Sequence, residues 1–192
     1  ANYPGTRVER ARLKAALAIG TIPDPAMIDA LVARCAVEPD FYVRDTLTWA
    51  ITRHDSTMTL PRMLEELASA TNQARSQALH TLSKIKDPAA WPAITPALLR
   101  DADDEVARSA WRAAVVLVPD DERASLAREL ASQFGRGSRD VQRSLSRALV
   151  SLGEDAVAPV LHEASSSPHA VVRAHAAASE RLLHDPDASF EL

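Results

Sequence analysis

The residues best suited to chemistry are concentrated in the stretch FYVRDTLTWAITRH, residues 41–54. This stretch holds an acid, a histidine, a tryptophan and two arginines within fourteen positions, namely Arg44, Asp45, Trp49, Arg53 and His54. Carboxylates and imidazoles are the usual groups for proton transfer, and an indole can stack on a ligand. Such a density of reactive side chains resembles an active site, so the elements that position them must be identified.

The rest of the chain supplies no complete catalytic or metal-binding motif. Its 6 histidines show neither H-E-x-x-H nor a Cys/His spacing suited to zinc. The run DADDE, residues 101–105, lacks the glycine and the distal glutamate of a calcium loop. GRGS, residues 135–138, is too short for a phosphate-binding loop. We therefore expect a protein without enzymatic activity, metal or cofactor.

The composition favours closely packed helices. The chain has 192 residues, of which 46% are hydrophobic and only 4% aromatic, and it contains 5 glycines. We expect an all-α protein that forms a single domain over residues 1–192. The lone Cys35 cannot form an internal disulfide, and no signal peptide or membrane-spanning run is evident, which predicts a cytoplasmic protein. Because Ala1 is not an initiator Met, residues upstream of it could be missing.

One apolar template recurs along the chain. Val43 is followed at offsets of four, seven and eight by Leu47, Ala50 and Ile51, which is the spacing of one helical face. Further copies begin at an anchor residue that recurs every 31 to 35 positions, a period typical of stacked helix pairs. The anchors are Val8, Val43, Ala74, Val106, Val141 and Val172. They predict helices at about 6–19, 41–54, 73–86, 105–118, 141–152 and 170–184.

Five other amphipathic segments alternate with these helices, beginning near Pro25, Leu60, Ala89, Glu122 and Ala156. Internal prolines predict that some of these helices bend or begin late. Gly20 and Gly153 follow the apolar pattern at positions where a left-handed residue would end a helix.

The alternation of two helix types resembles the HEAT repeat and its bacterial lyase-type relatives. The resemblance is carried by APVLHEA before VVRAHAA, by PALLRDADDEVARSA and by DFYVRDTLTWA, and it extends from about Val8 to Leu183. It implies a right-handed α-solenoid of about five helix pairs preceded by one extra helix. In such arrays the second helix of each pair lines the concave surface, so the resemblance assigns the six repeating helices to that surface.

Charge is distributed unevenly between the two sets of helices. The chain has a net charge of -4, yet the six repeating helices hold 15 Lys or Arg against 4 Asp or Glu. The remaining segments hold 7 basic and 22 acidic residues. A helical wheel places offsets two and six from each anchor away from the core. The residues at these positions form a predicted stripe that is mostly basic and includes an aromatic residue and a histidine. They are Arg10, Lys14, Asp45, Trp49, Ser76, His80, Arg108, Arg112, Arg143 and Arg147.

The stripe predicts a binding scaffold, with the partner held on the concave, arginine-rich surface. We expect an acidic protein segment as the partner, and no membrane. Nucleic acid is the alternative, because basic grooves with aromatic side chains also suit phosphates and stacked bases. The predicted partner-binding residues are Arg44, Asp45, Trp49, Arg75, His80, Arg108, Arg112, Arg143 and Arg147.

Three further alternatives follow from the resemblance. DNA glycosylases of the alkylpurine-specific HEAT-like class use a basic groove, and Asp45, Trp49, Trp111 and Arg112 are the residues that would fill their roles. A chaperone role like that of bilin lyases rests on repeat similarity alone. The resemblance also implies a possible structural role, because in HEAT-like repeats the arginines after the anchor often bond to aspartates in neighbouring turns. Asp40, Asp87, Asp104 and Asp140 are suitably placed for such bonds.

Overall fold

The computed structural model describes residues 3–192, and every regular element in that range is helical. The chain divides into two compact units, Ala1–Ala93 and Ile94–Leu192. No helix in residues 3–192 combines the length and the apolar character needed to cross a membrane.

The first unit has five α-helices. They are α1 (Arg7–Thr21), α2 (Ile28–Cys35), α3 (Phe41–Thr52), α4 (Ser56–Glu66) and α5 (Asn72–Ile85). Short 3-10 turns occupy Pro25–Met27 and Pro88–Ala93. Helices α1, α3 and α5 pack side by side as one layer, while α2 and α4 form a second layer against them.

The second unit repeats this arrangement with six α-helices. They are α6 (Pro96–Leu99), α7 (Asp104–Leu117), α8 (Arg123–Ala131), α9 (Arg139–Ser151), α10 (Glu154–Ser165) and α11 (Ala170–His184). A 3-10 turn at Asp120–Glu122 precedes α8. Helices α7, α9 and α11 form one layer, and α6, α8 and α10 form the other. The prediction of an all-α fold built from helix pairs in the manner of an α-solenoid is confirmed.

The six repeating helices α1, α3, α5, α7, α9 and α11 begin and end within two residues of their predicted limits. In α3, α7 and α9, the side chain three residues before the anchor caps the start of the helix. Asp40 accepts from the Val43 N–H at 2.9 Å, and Asp103 accepts from the Val106 N–H at 3.0 Å. The anchors Val43, Ala74, Val106 and Val141 are all at most 4% exposed, as the repeating core face requires.

The first copy has a different register from the predicted one. Val8 is 63% exposed, so it is not a core anchor. The Thr6 hydroxyl caps the Glu9 N–H, and the Glu9 carboxylate accepts in return from the Thr6 N–H, forming a capping box. Glu9 therefore occupies the anchor position, and Ala16 and Gly20 continue the buried face. The apolar pattern pointed to Val8 because the true anchor of this copy is polar.

Gly20 and Gly153 also differ from the prediction. Gly20 lies inside α1 and is buried, because α1 continues to Thr21. A Cβ at this position would lie 2.3 Å from Cζ3 of Trp49, so only glycine lets the indole of α3 approach α1. Gly153 adopts φ +92° after α9, as a turn residue should, but its ψ of 157° also makes it the N-cap of α10.

The prolines shape the second layer as expected. Pro61 lies inside α4 and Pro159 inside α10. Pro92 and Pro96 divide the segment from Ala89 into a 3-10 turn and the four-residue α6. Since proline lacks an N–H and fixes φ, this segment cannot form one continuous helix.

Glu38, whose carboxylate is buried, joins four helices of the first unit through its side chain and its backbone carbonyl. The side chain of Glu38 is 0% exposed and accepts from Nε and Nη2 of Arg12 at 2.8 and 2.9 Å. It also accepts from Nε of Arg34 at 2.9 Å, and its backbone carbonyl accepts from Arg44 and Gln73. Burial alone would raise the pKa of Glu38, but the hydrogen bonds from Arg12, the Asp40 N–H and Arg34 outweigh it and lower this pKa to about 2.

A buried imidazole has a comparable place in the second unit. His175 is 0% exposed, and its Nδ1 accepts from the Gly135 N–H at 2.9 Å. Its Nε2 therefore carries the proton and donates to the carbonyl of Gln142 at 2.8 Å. Burial lowers the pKa of His175 to about 4, so the ring is neutral at physiological pH.

Candidate functional site

Most of the reactive side chains in residues 41–54 have structural roles. His54 lies buried, with its ring nitrogens 2.9 Å from the Ala50 carbonyl and 3.1 Å from the Asp24 carbonyl. Arg53 donates from Nε to the Gly20 carbonyl at 3.1 Å and stacks over Trp49. The stretch therefore ties α3 to α1 and to the turn before α2.

The arginines that directly follow an anchor hold the preceding turn. Nη1 of Arg44 donates to the Glu38 carbonyl at 2.8 Å, six residues earlier. Arg75 donates in the same way to the Ser69 carbonyl at 3.0 Å, and Arg173 to the Ser167 carbonyl at 2.7 Å. In the corrected register Arg10 also follows its anchor, and it donates to the carbonyl of Gly5.

Because this bond recurs from repeat to repeat, it indicates a structural role for Arg44 and Arg75, which were predicted to bind a partner. Arg44 donates to the backbone carbonyls of Glu38 and Pro39, and Arg75 donates to the Ser69 carbonyl and to the side-chain oxygen of Asn72. Such bonds satisfy carbonyls that the helices and turns leave free. Asp104 has a different partner, because Nη2 of Arg136 lies 3.0 Å from its carboxylate.

Asp45, Trp49 and His80 come together on the first unit. Nε2 of His80 lies 3.4 Å from Oδ1 of Asp45, joining α5 to α3 across the exposed surface. Trp49 is 39% exposed, with its ring against Gly20 of α1 and the Arg53 guanidinium 6.0 Å from the ring centroid.

The first helix does not continue the predicted stripe. With Glu9 as the anchor of α1, the residues two and six positions later are Ala11 and Ala15. The predicted basic stripe is therefore absent from α1.

Substituting Gly20 tests how tightly Trp49 is held. Gly20→Ala should lower the free energy of unfolding by about 1 kcal/mol, although alanine is the better helix former, because the new methyl group displaces the indole. Urea unfolding measures the stability, and tryptophan fluorescence reports the environment of the ring. In a Trp49→Ala background the same substitution should become stabilising by about 0.5–1 kcal/mol. Equal destabilisation in both backgrounds would show that the indole does not limit this position.

The arginines of α7 and α9 lie on the exposed surface of the second unit, and we call Arg108, Arg112, Arg143 and Arg147 the arginine surface. Nε of Arg108 donates to the Ser144 hydroxyl at 3.0 Å, which joins the two helices. Arg108 also forms an ion pair with Glu105 at 2.9 Å. Among residues 3–192, Arg112, Arg143 and Arg147 form no ion pair, and Arg112 contacts only the hydroxyl of Ser109 at 3.3 Å.

The electrostatics of the arginine surface reflect this excess of positive charge. Desolvation is the main cause that lowers the pKa of Arg112, and the neighbouring charge of Arg108 lowers it further. Glu105 offsets only part of this repulsion. Two guanidinium groups therefore lie close together without an equal number of carboxylates.

The remaining candidates for base stacking or thiol chemistry are buried, and the candidate metal ligands do not lie together. Trp111 is 0% exposed, and its Nε1–H donates to the Leu99 carbonyl at 2.8 Å, so it is not available to stack on a base. Burial raises the pKa of Cys35 to about 12, which keeps the thiol protonated. Residues 3–192 contain no group of three or more His, Cys, Asp or Glu side chains that could hold a metal ion.

The sequence patterns missed one further arginine on α9. Arg139 lies four residues before Arg143, and its Nη2 donates to the carbonyl of Phe190 while its guanidinium stacks 5.8 Å from the Phe190 ring. The i, i+4 spacing with Arg143 was available in the sequence. The contact with Phe190 was not, since it joins residues 51 positions apart.

One family of known proteins matches part of this chain. Residues 37–115 match the family of HEAT repeats, which confirms the resemblance. No curated protein matches the chain. Among solved structures, a designed armadillo repeat protein, YIII(Dq)4CqI, is similar to this chain with a TM-score of 0.46 and 18% identity, over 95% of this chain and 96% of the other.

Proposed function

We propose that this chain, which contains HEAT repeats, is a non-enzymatic scaffold whose arginine surface binds an acidic segment of a protein partner. A scaffold built from helical repeats is consistent with protein binding. The observation that carries the finer proposal is the unpaired state of Arg112, Arg143 and Arg147 on two adjacent helices. An acidic segment would supply the missing carboxylates, which favours fast and specific association.

The exposed Asp45–Trp49 pair on α3 is proposed as a separate contact region of the first unit. Its support is that the acid and the indole both remain accessible in the folded chain. Arg44 and Arg75 would contribute through the turns that they hold rather than through direct contact.

A protein segment is favoured over nucleic acid by what surrounds the arginines. Base stacking on single strands needs exposed aromatic rings beside the basic groups. Trp111, the tryptophan of the second unit, is fully buried on α7. Arginine side chains with no accessible aromatic ring beside them are better suited to binding carboxylates than to holding stacked bases.

Reversing the charge of Arg143 and Arg147 on α9 tests the proposal. Arg143→Glu with Arg147→Glu should weaken binding of a Glu-rich peptide by about 30-fold, because two attractions become repulsions. Isothermal titration calorimetry at low salt gives the affinity. Circular dichroism and the melting temperature should stay unchanged, since both side chains are exposed and form no ion pair.

A matched control separates a specific surface from net charge. Arg7→Glu with Arg128→Glu changes the net charge equally at exposed positions on α1 and α8 and should leave peptide binding unchanged. Equal losses in both variants would contradict a localised site. Duplex and single-stranded DNA serve as competing probes at about 50 and 200 mM salt, where tighter binding of DNA than of the peptide would favour the nucleic-acid alternative.

A further inference from the structure

Residues 185–192, with the sequence DPDASFEL, fold back onto the second unit, and we call them the acidic segment. It carries three carboxylates on Asp185, Asp187 and Glu191, and it contains no regular helix. Its single aromatic residue, Phe190, is only 5% exposed. A short acidic segment is thus bound to this unit through one buried aromatic side chain.

The pocket for Phe190 is formed by two helices. The ring lies edge-on to His175 of α11, with centroids 6.2 Å apart and an interplanar angle of 84°. The Arg139 guanidinium of α9 lies over the same ring, 5.8 Å from its centroid. Aromatic and cation–π contacts of this kind add to the hydrophobic gain from burying the ring.

Two arginines bind the main chain of the segment. Arg139 donates to the Phe190 carbonyl, and Arg181 of α11 donates to the carbonyl of Glu191. These bonds recognise the main chain of the segment whatever its side chains are. Sequence preference in this contact therefore comes from the aromatic residue that fills the pocket.

The arginine that covers Phe190 lies on the same helix as two members of the arginine surface. Arg139, Arg143 and Arg147 are spaced i, i+4 and i+8, which places them on one face of α9. The first of them holds the acidic segment, while the other two have no carboxylate partner within residues 3–192. One face of α9 thus presents a filled aromatic pocket and an unpaired basic surface side by side.

Resting on the proposed function, we infer that the partner is an extended acidic peptide with an aromatic residue, and that the acidic segment occupies its aromatic pocket in the free protein. The partner's carboxylates contact Arg143 and Arg147, and its aromatic ring displaces Phe190. Because the segment is tethered, its effective concentration is on the order of millimolar, so it competes well even if its intrinsic affinity is low.

Vacating the pocket in the full chain tests this inference. The probe is a labelled peptide of sequence HDPDASFEL, measured by fluorescence anisotropy. Phe190→Ala should bind the probe about tenfold more tightly than the unaltered chain, because the internal competitor has lost its anchor. A probe with alanine in place of its phenylalanine should lose this gain.

Leu192→Ala is the matched control, since Leu192 belongs to the same segment but is 52% exposed. It should bind the probe as weakly as the unaltered chain. If Phe190→Ala lowers the melting temperature without any gain in probe binding, the segment is a structural cap and the inference is overturned. Equal binding of the parent and alanine probes would overturn it as well.

A Glu-rich peptide without an aromatic residue separates this inference from the proposed function. This peptide should bind the unaltered chain and the Phe190→Ala variant equally. Adding Arg143→Glu and Arg147→Glu to either protein should weaken its binding by about 30-fold. Binding of this peptide without a Phe190 effect would reject the inference alone. Failure of this peptide to bind at low salt would reject the proposed function.

Discussion

Glu38→Gln should lower the free energy of unfolding of the first unit by about 3 kcal/mol, the lower end of the range for breaking a buried ion pair. The substitution keeps the shape of the side chain but removes the charge that Arg12 and Arg34 share. The expected loss is at the lower end of this range because the side chains of Arg12 and Arg34 are 27% and 41% exposed, so water can solvate their charges in the variant. Urea unfolding followed by circular dichroism measures the change.

An exposed ion pair in the same unit provides the control. Asp29 pairs with Arg62 at 3.0 Å, but its side chain is 85% exposed. Asp29→Asn should therefore cost less than about 1 kcal/mol. Similar losses for both variants would show that Glu38 is no more important than a surface acid.

The pH dependence of Glu38 has a definite direction. Its folded pKa of about 2 lies below the ordinary value of 4.5, so its contribution is fully present above pH 4.5. The contribution is lost as the pH falls from 4.5 toward 2. Glu38 therefore does not affect stability changes measured between pH 5 and pH 7.

His175 should make the second unit sensitive to acid in that higher range. Its folded pKa of about 4 lies below the ordinary 6.5, so the unfolded chain binds the proton first as the pH falls. Stability is fully present above pH 6.5 and declines toward pH 4, with a loss of about 2 kcal/mol between pH 7 and pH 5.

The comparison with His175→Gln isolates this effect. The variant should be less stable at pH 7, because it loses the ring that contacts Phe134 and Phe190 and its bonds to Gly135 and Gln142. Its stability should change about 2 kcal/mol less than that of the unaltered chain between pH 7 and pH 5. Parallel pH profiles for the two proteins would contradict a neutral, buried imidazole.

The repeating helices could be located from the sequence because their core faces are apolar at regular offsets. Val43, Val106 and Val141 are each preceded by a capping residue three positions earlier, so pattern and capping agree. The first helix broke this agreement, because Glu9 fills the anchor position and the apolar pattern selected Val8 instead. Capping chemistry, through the pair Thr6 and Glu9, was the better guide there.

The helical wheel predicted which way the arginines leave their helices but not where their long side chains end. Arg44, Arg75 and Arg173 turn back to carbonyls six residues earlier. Arg143 and Arg147 are exposed on α9 and form no ion pair with the part of the chain that the structure describes. That difference depends on whether the preceding turn presents a free carbonyl. Local spacing therefore selected these arginines as candidates but could not distinguish those that hold turns from Arg143 and Arg147.

Contacts between distant residues escaped sequence analysis for a different reason. Glu38 joins Arg12, 26 positions away, and Arg139 joins Phe190, 51 positions away. Neither pair repeats along the chain, so no periodic pattern marks it. These contacts become visible only once the helix layers place the partners side by side.

The side-chain Nε–H resonances of the arginines offer the most direct test of the arginine surface. Titration of the full chain with a Glu-rich peptide, followed by NMR at low salt, should shift the signals of Arg112, Arg143 and Arg147. The signals of Arg44 and Arg173, which hold their turns, should stay in place. Saturable shifts confined to the first group are the predicted result. Shifts restricted to arginines elsewhere, or no shift at any peptide concentration, would contradict a role of this surface in binding an acidic partner.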